Sequence, residues 1–452
     1  MKKARFIRLM ALVLVGVCLL PGCKKAPESP QQGTQATTAA PTVPTQPTCA
    51  HTFSEWKLQT APSCDREGVE TRSCSLCGSS EERPVPTVDH DFAADHICRV
   101  CKFVGFNPET DLTELGNAVS AHYTPGAIAN CAWDLVVWNG VLYRTAGDYD
   151  KNSKGTPIYA YNLADGKWEL SYTAWDDSLH RFLNIYGVLA APGIDPRDDW
   201  KLGNYYVLGE EWRQVRNLPG GIHNFDMIGY DGKIFAGLGV LAGSSPCAMS
   251  TDGGASFQSV PMYKDGQIVD TTGKDHIRIY EYLTFKGQLY AMAYMGDFWG
   301  FYRFEGDKFV YVSAAGAYAS SSRTNYNYLN AKIELGDTCF VVSSSLHAIR
   351  DFADPDANKI VQMPNSERVS DALLADGTLY TLTYAEKAEG GYETVIYKSA
   401  TGEEGSFREV LRFDYAVPPC SFTLDGDCFY IGMGSKKLIH NANGMVLQAK
   451  LP

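Results

Sequence analysis

Seven times between residues 135 and 434 the chain repeats one pattern: a short apolar strand, a polar turn with glycine, and a second apolar or aromatic strand. The copies read "LVVWNGVLYRTAG", "FLNIYGVLAAPG", "MIGYDGKIFAGLG", "YLTFKGQLYAMAY", "KIELGDTCFVVSS", "LLADGTLYTLTY" and "FTLDGDCFYIGMG". Their turn glycines are Gly140, Gly187, Gly232, Gly287, Gly336, Gly377 and Gly426, spaced by 47, 45, 55, 49, 41 and 49 residues. One such hairpin cannot bury its own apolar faces, so the copies must pack on one another and share a core.

Repeats of roughly 40–50 residues with several strands each predict a β-propeller. The second half of each unit agrees, with a further apolar strand, a turn and an outer strand, as in "IYAYNLADGKWEL" and "GFYRFEGDKFVYV". A sandwich would not give seven evenly spaced copies, and the alternation and turn chemistry exclude a helical solenoid. The composition fits, with 42 Gly, 26 Tyr and 20 Phe against only 20% charged residues. The expected fold class is all-β: a seven-bladed β-propeller over residues 127–452, after a small N-terminal Cys/His-rich module. The last unit, ending "KKLIHNANGMVLQAKLP", reads as complete. Closure of the ring is therefore expected by packing of the first blade on the last, without strand exchange, with residues 106–126 as a linker. The alternative is a closing strand drawn from residues 103–126.

The first strand of each blade should line the central channel. Six residues before each turn glycine stand Asp134, Arg181, Asp226, Glu281, Asn330, Asp371 and Cys420. Six of these seven are polar, while the next two positions are mostly apolar, so this column is expected to face the channel. Four carboxylates, an arginine and an amide in a ring could take a divalent ion such as Ca2+, or a cationic or polyhydroxyl ligand. The alternative is a hydrated channel whose polar groups satisfy one another and water. A second set, His180, His223, Arg278 and Arg368, is placed at the channel mouth as candidate ligand-binding residues. Exposed aromatics and carboxylates in the loops, such as Asp195 and Trp200, suit carbohydrate and are equally ordinary surface.

The N-terminus reads differently. A basic start and an apolar run from Leu9 to Leu20 form a signal peptide over residues 1–22. The run ends in "LPGC", which resembles a bacterial lipoprotein lipobox and makes Cys23 the acylated residue, through palmitate or another acyl chain. Residues 23–48, rich in Pro, Thr, Gln and Ala, form a disordered spacer. The expected location is the bacterial cell envelope, lipid-anchored and outside the cytoplasm. Residues 49–105 then carry Cys49, His51, Cys64, Cys74, Cys77, His90, Cys98 and Cys101, with two C-x-x-C pairs, "CSLC" and "CRVC". That spacing gives tetrahedral zinc its bite. Export and an even cysteine number allow disulfides instead. The pattern resembles small Cys/His modules repeated in surface proteins of anaerobic bacteria, with Lys102 in place of the second glycine.

The stretch "STDGGASF", Ser250 to Phe257, matches the Asp box of bacterial sialidases, and "SATGEEGSF" is a degenerate second copy. The chain thus resembles sialidase-like and kelch-like bacterial propellers in fold. No sialidase arginine motif, G-x-S-x-G, H-E-x-x-H or phosphate loop appears. The net charge of −12 argues against nucleic acid as a partner. The expected function is therefore binding of extracellular carbohydrate or protein by a monomeric, tethered propeller, with no catalytic residue assigned. A glycoside hydrolase and a protein–protein scaffold remain the alternatives.

Overall fold

The structure is a computed structural model; it describes residues 49–148, 155–197, 199–318, 329–365 and 367–452. The signal peptide, the spacer and the lipidation candidate Cys23 lie outside the described residues. Within them the regular secondary structure is almost all strand, with one four-residue α-helix, Pro108–Asp111, and four 3-10 turns.

Each predicted hairpin forms. All seven turn glycines take positive φ, between 59° and 82°. In five copies the preceding residue does so too: Asn139, Tyr186, Asp231, Lys286 and Asp376. Two successive positive φ values make a type I′ turn, whose twist matches that of the flanking strands. The other two copies differ. Leu335 pairs with Thr338 and Asp425 with Cys428, so Gly336 and Gly426 occupy the first loop position rather than the second.

Five separate antiparallel four-stranded sheets appear. Their first strands are Leu135–Trp138, Leu183–Ile185, Lys332–Leu335, Arg368–Ala375 and Pro419–Asp425. The third and fourth copies, opening with Gly221–Tyr230 and Ile277–Phe285, are fused into one twelve-stranded sheet. The junction is a short pairing of Gly239 and Val240 with Arg278 and Ile277. No sheet closes on itself among the described residues. The core lies between neighbouring copies rather than within any one of them. Phe235, Leu238, Ile279 and Tyr282 pack between the third and fourth copies, and Leu382, Ile396, Phe422 and Phe429 between the sixth and seventh.

The expectation of closure without strand exchange is corrected. Residues 106–126 are not a linker, because Leu112–Gly116 pairs antiparallel with Val446–Lys450 and is the fourth strand of the last sheet. The C-terminal tail "KKLIHNANGMVLQAKLP" supplies only one strand, so the outer place is filled from the N-terminal side. Arg144, fully buried, pins this seam: it donates to the carbonyls of Gly444, at 2.7 Å, and Asn130, and to the Asn117 side chain.

The "STDGGASF" stretch is a turn between the strands Cys247–Ser250 and Gln258–Ser259. Asp252 accepts from the Ser256 amide at 2.9 Å and from the Ser256 and Ser250 hydroxyls at 2.6 and 2.7 Å. Those bonds, led by the Ser256 hydroxyl, hold the Asp252 carboxyl down at about 2. Phe257 packs edge-on against Tyr205. The side chains of Ser250, Asp252 and Ser256 all bond within the turn.

Candidate metal centres and ligand site

The eight Cys/His residues sort into two clusters, Cys49–His51–Cys74–Cys77 and Cys64–His90–Cys98–Cys101, each with its ligand atoms within 4.8 Å of one another. The clusters interleave along the chain: the first His–C-x-x-C half closes its own site with Cys49, while the second borrows Cys64 from within the first. Tetrahedral zinc with Zn–S near 2.3 Å places sulfurs about 3.8 Å apart. Cys49 and Cys74 are 3.9 Å apart, and Cys64 and Cys98 3.6 Å. A disulfide needs about 2.05 Å, and all the described cysteines are free thiols. His51 Nδ1 stands 3.4 Å from Cys77, and His90 Nδ1 3.2 Å from Cys101. Both geometries suit a three-Cys, one-His zinc site.

The C-x-x-C loops favour thiolates. Burial pushes the Cys74 thiol up, but the Leu76 and Cys77 amides and the His51 ring outweigh it and bring it to about 5. Cys98 reaches about 6, with burial again opposed by the Cys101 amide and His90. Each loop ends on a left-handed residue, Gly78 at φ 76° and Lys102 at φ 64°. Lys102 thus occupies the place that the repeat gives to glycine.

The polar column forms a closed cycle of bonds from each copy to a later one. Asp134 accepts from the Phe182 amide at 2.6 Å. Arg181 reaches Asp226 at 3.2 Å and grips Glu281 with two bonds of 2.6 and 2.8 Å. Asp226 accepts from Tyr282 N at 2.7 Å, and Glu281 from Leu329 N at 3.1 Å. Asn330 donates to the Ser370 carbonyl, and Asp371 accepts from Phe422 N at 3.2 Å. Ser421 and Cys420 donate to the carbonyl of Ala132, two residues before Asp134.

Lys332 completes this cluster and was not singled out by the sequence pattern; it contacts Asp226 and lies 3.2 Å from Glu281. Two cations thus neutralise two carboxylates. Asp134 and Asp371 have no such cation within ion-pair reach among the described residues. Burial raises Asp134 to about 7, and raises Asp371 well above the usual carboxylate range with Asp134 adding to it. A cavity of about 230 Å³ sits among Trp133, Asp134, Arg181, Asn330, Lys332 and Asp371. The expectation of Ca2+ finds no support. Among the described residues, only the two Cys/His clusters gather three or more metal-ligating groups.

Alignment on the glycines misplaces two copies in the column, the seventh and the fifth. A β-bulge precedes Asp226, Glu281 and Asp371, and the bulge in the last sheet precedes Ser421, not Cys420. The shifted glycine of that hairpin causes the offset. In the fifth copy the same offset puts Ala331 in step with the column, with Asn330 one residue before it.

Of the mouth set, the structure brings together two of four. His223 Nε2 meets Arg278 Nη2 at 3.5 Å, and His223 Nδ1 lies 3.0 Å from Asp195. His180 is instead a core residue, edge-on to Trp133, its pKa driven well down by burial and then by Arg181. Arg368 is exposed at the head of its strand and bonds to none of the other three.

No family model matches the chain, and no curated protein does. Among solved structures, one titled as YCF48 bound to a D1 peptide aligns at 11% identity and TM-score 0.44, over 76% of this chain and 99% of that one. A mitotic checkpoint complex aligns at 9% and 0.42, over 78% and 98%. A putative 6-phosphogluconolactonase from Bacteroides uniformis aligns at 14% and 0.40, over 65% and 89%.

Proposed function

We propose that the chain is a seven-bladed β-propeller that binds a carbohydrate or protein outside the cytoplasm, held by a lipid on Cys23 and preceded by a module stapled by two zinc ions. The observation that carries this reading is the bonded cycle of the column. Each copy's first strand is bonded to another copy's, and the last returns to Ala132. That linkage supports a ring of seven units even though two of the units share one sheet.

The same cycle favours binding over glycoside hydrolysis. A glycosidase needs two carboxyl groups facing its substrate, one as acid and one as base or nucleophile. Here Asp226 and Glu281 are wholly buried and held by Arg181 and Lys332. Two exposed aromatics in loops at the same end of the second sheet, Trp175 and Trp200, offer platforms for sugar. In the zinc module the metal would act as a structural staple, held by the eight ligands named above.

A glycan array run beside a panel of chromogenic glycosides tests the reading. Binding without turnover is expected. Turnover abolished by Glu281→Gln would replace it with the hydrolase. For the anchor, Cys23→Ser is expected to release the protein from the membrane fraction; retention there would remove the lipid from the proposal.

A further inference from the structure

The half-buried arginine Arg278 differs from other inward arginines among the described residues. Arg181, Arg197, Arg216 and Arg412 each pair with a carboxylate, and Arg144 is surrounded by carbonyls. Arg278 has no carboxylate within ion-pair distance among the described residues. Its guanidinium lies over the rings of Phe225, at 5.5 Å, and Tyr280, at 5.9 Å. The Tyr280 hydroxyl takes one Nη1 proton at 3.0 Å, and His223 Nε2 takes one from Nη2. Of five N–H donors, three are left over.

The backbone builds this arrangement. His223 pairs with Gly239, and Gly239 pairs with Arg278 across the junction of the third and fourth copies. A Cβ on Gly239 would stand 2.5 Å from the His223 ring. Glycine thus lets His223 lean across the strand to meet the arginine. Arg278 can only donate, so His223 Nε2 accepts and the ring proton sits on Nδ1, facing Asp195 at 3.0 Å. Asp195 adopts φ 60° to reach it. Orientation of a cation by a tyrosine, a histidine and a carboxylate behind it is more than a surface arginine requires.

The group opens on a cavity of about 210 Å³. Its walls combine Arg278, His276 and Lys274, the last paired with Asp297, and the carboxylate of Asp275 with an apolar side of Ile222, Val240 and Leu241. At ~30 Å³ per liquid water, that is room for about seven waters, or one sugar ring. An unpaired, aromatic-stacked guanidinium beside an apolar wall suits a planar carboxylate attached to such a ring.

We propose that this cavity binds a uronate unit, its carboxylate on Arg278 and its ring against Ile222 and Val240. The inference rests on the binding-protein reading and names the ligand class at one of its sites. Calorimetric titration of the full chain with D-glucuronate and D-galacturonate tests it, with glucose, acetate and inorganic phosphate as comparisons. Uronate binding is expected, with at least tenfold weaker binding of glucose and of acetate. Arg278→Gln is expected to abolish uronate binding and Arg278→Lys to weaken it at least tenfold, since an ammonium cannot make the paired contact. His223→Gln keeps an acceptor on the side chain and is expected to lose less. Equal binding of glucose, preference for phosphate, or unchanged affinity in Arg278→Gln each overturns the proposal, as does no uronate binding at all. If the glycan array then finds neutral glycans that Arg278→Gln still binds, the binding-protein reading stands and only the uronate site falls.

Discussion

Asp134 shows how one side chain changes meaning between sequence and structure. As a letter in a column it reads as a channel-facing ligand group; in the fold it caps the Phe182 and Leu135 amides at 2.6 and 2.9 Å. Its carboxyl titrates at about 7 because burial outweighs those two bonds. The sign of the consequence follows from linkage: the folded state holds the proton more tightly than the unfolded chain. Its stabilising share is full below about pH 4 and is lost as pH rises toward 7, up to about 4 kcal/mol. Asp134→Asn does not titrate. Between about pH 4.5 and pH 8 the unfolding midpoint of the native protein should therefore fall relative to that of Asp134→Asn. A constant difference between the two melts would show that Asp134 does not titrate in this window. The Cys/His clusters were legible in the sequence because C-x-x-C spacing is itself the chemistry of a candidate metal site. What spacing could not give was their sorting, since Cys64 joins Cys98 and Cys101 from 34 residues away. Replacing Cys98 by Ser should remove one of two zinc ions per chain in elemental analysis, and adding Cys74→Ser the other. Loss of neither ion would end the zinc reading.

At the scale of elements, the hairpins were readable because their turns demand positive φ and glycine supplies it. The partners of those hairpins were less readable. The fourth strand of the last sheet, "LTELG" at Leu112–Gly116, is short and weakly alternating, with a burial pattern set by the neighbour it meets. Nothing in its own letters pairs it with residues more than 330 positions away. The junction of the third and fourth copies is equally silent, depending on two residue pairs around Gly239. Lys332 escaped notice because a column with one position per copy excludes a side chain reaching in from a neighbouring position. The closing strand makes its own prediction. Successive residues of a strand point their amides to opposite sides, so Thr113→Pro with Glu114→Pro removes an inward amide whichever one is bonded. The double variant should melt several degrees lower, at ~2–4 °C per kcal/mol or less for a chain this long. An unchanged midpoint would mean that the strand is not what closes the last sheet.

Across the whole molecule two parts hold together by different physics. The sheets after residue 127 share continuous apolar clusters between their faces. The module does not: between residues 49 and 105 the only buried hydrophobic side chains are Cys74 and Cys98, while Leu58, Leu76, Val100 and Phe103 are exposed. Its core is the two Cys/His clusters, and without the zinc proposed for them about fifty residues of this kind have too little buried surface to offset chain entropy. The module also rests on the sixth sheet, where Arg408 donates to the Thr87 carbonyl at 3.1 and 2.9 Å. That contact is a polar clamp on an exposed flank, too small to hold the module once its metal is gone. Stripping zinc with a strong chelator under reducing conditions should therefore unfold residues 49–105 alone. Limited proteolysis would then cut within the module and leave a resistant fragment beginning near residue 106, with the main melting transition within a few degrees of its former place. If the sheets melt together with the module, the metal sites support the whole chain, and the separation between a metal-built module and an apolar ring is wrong.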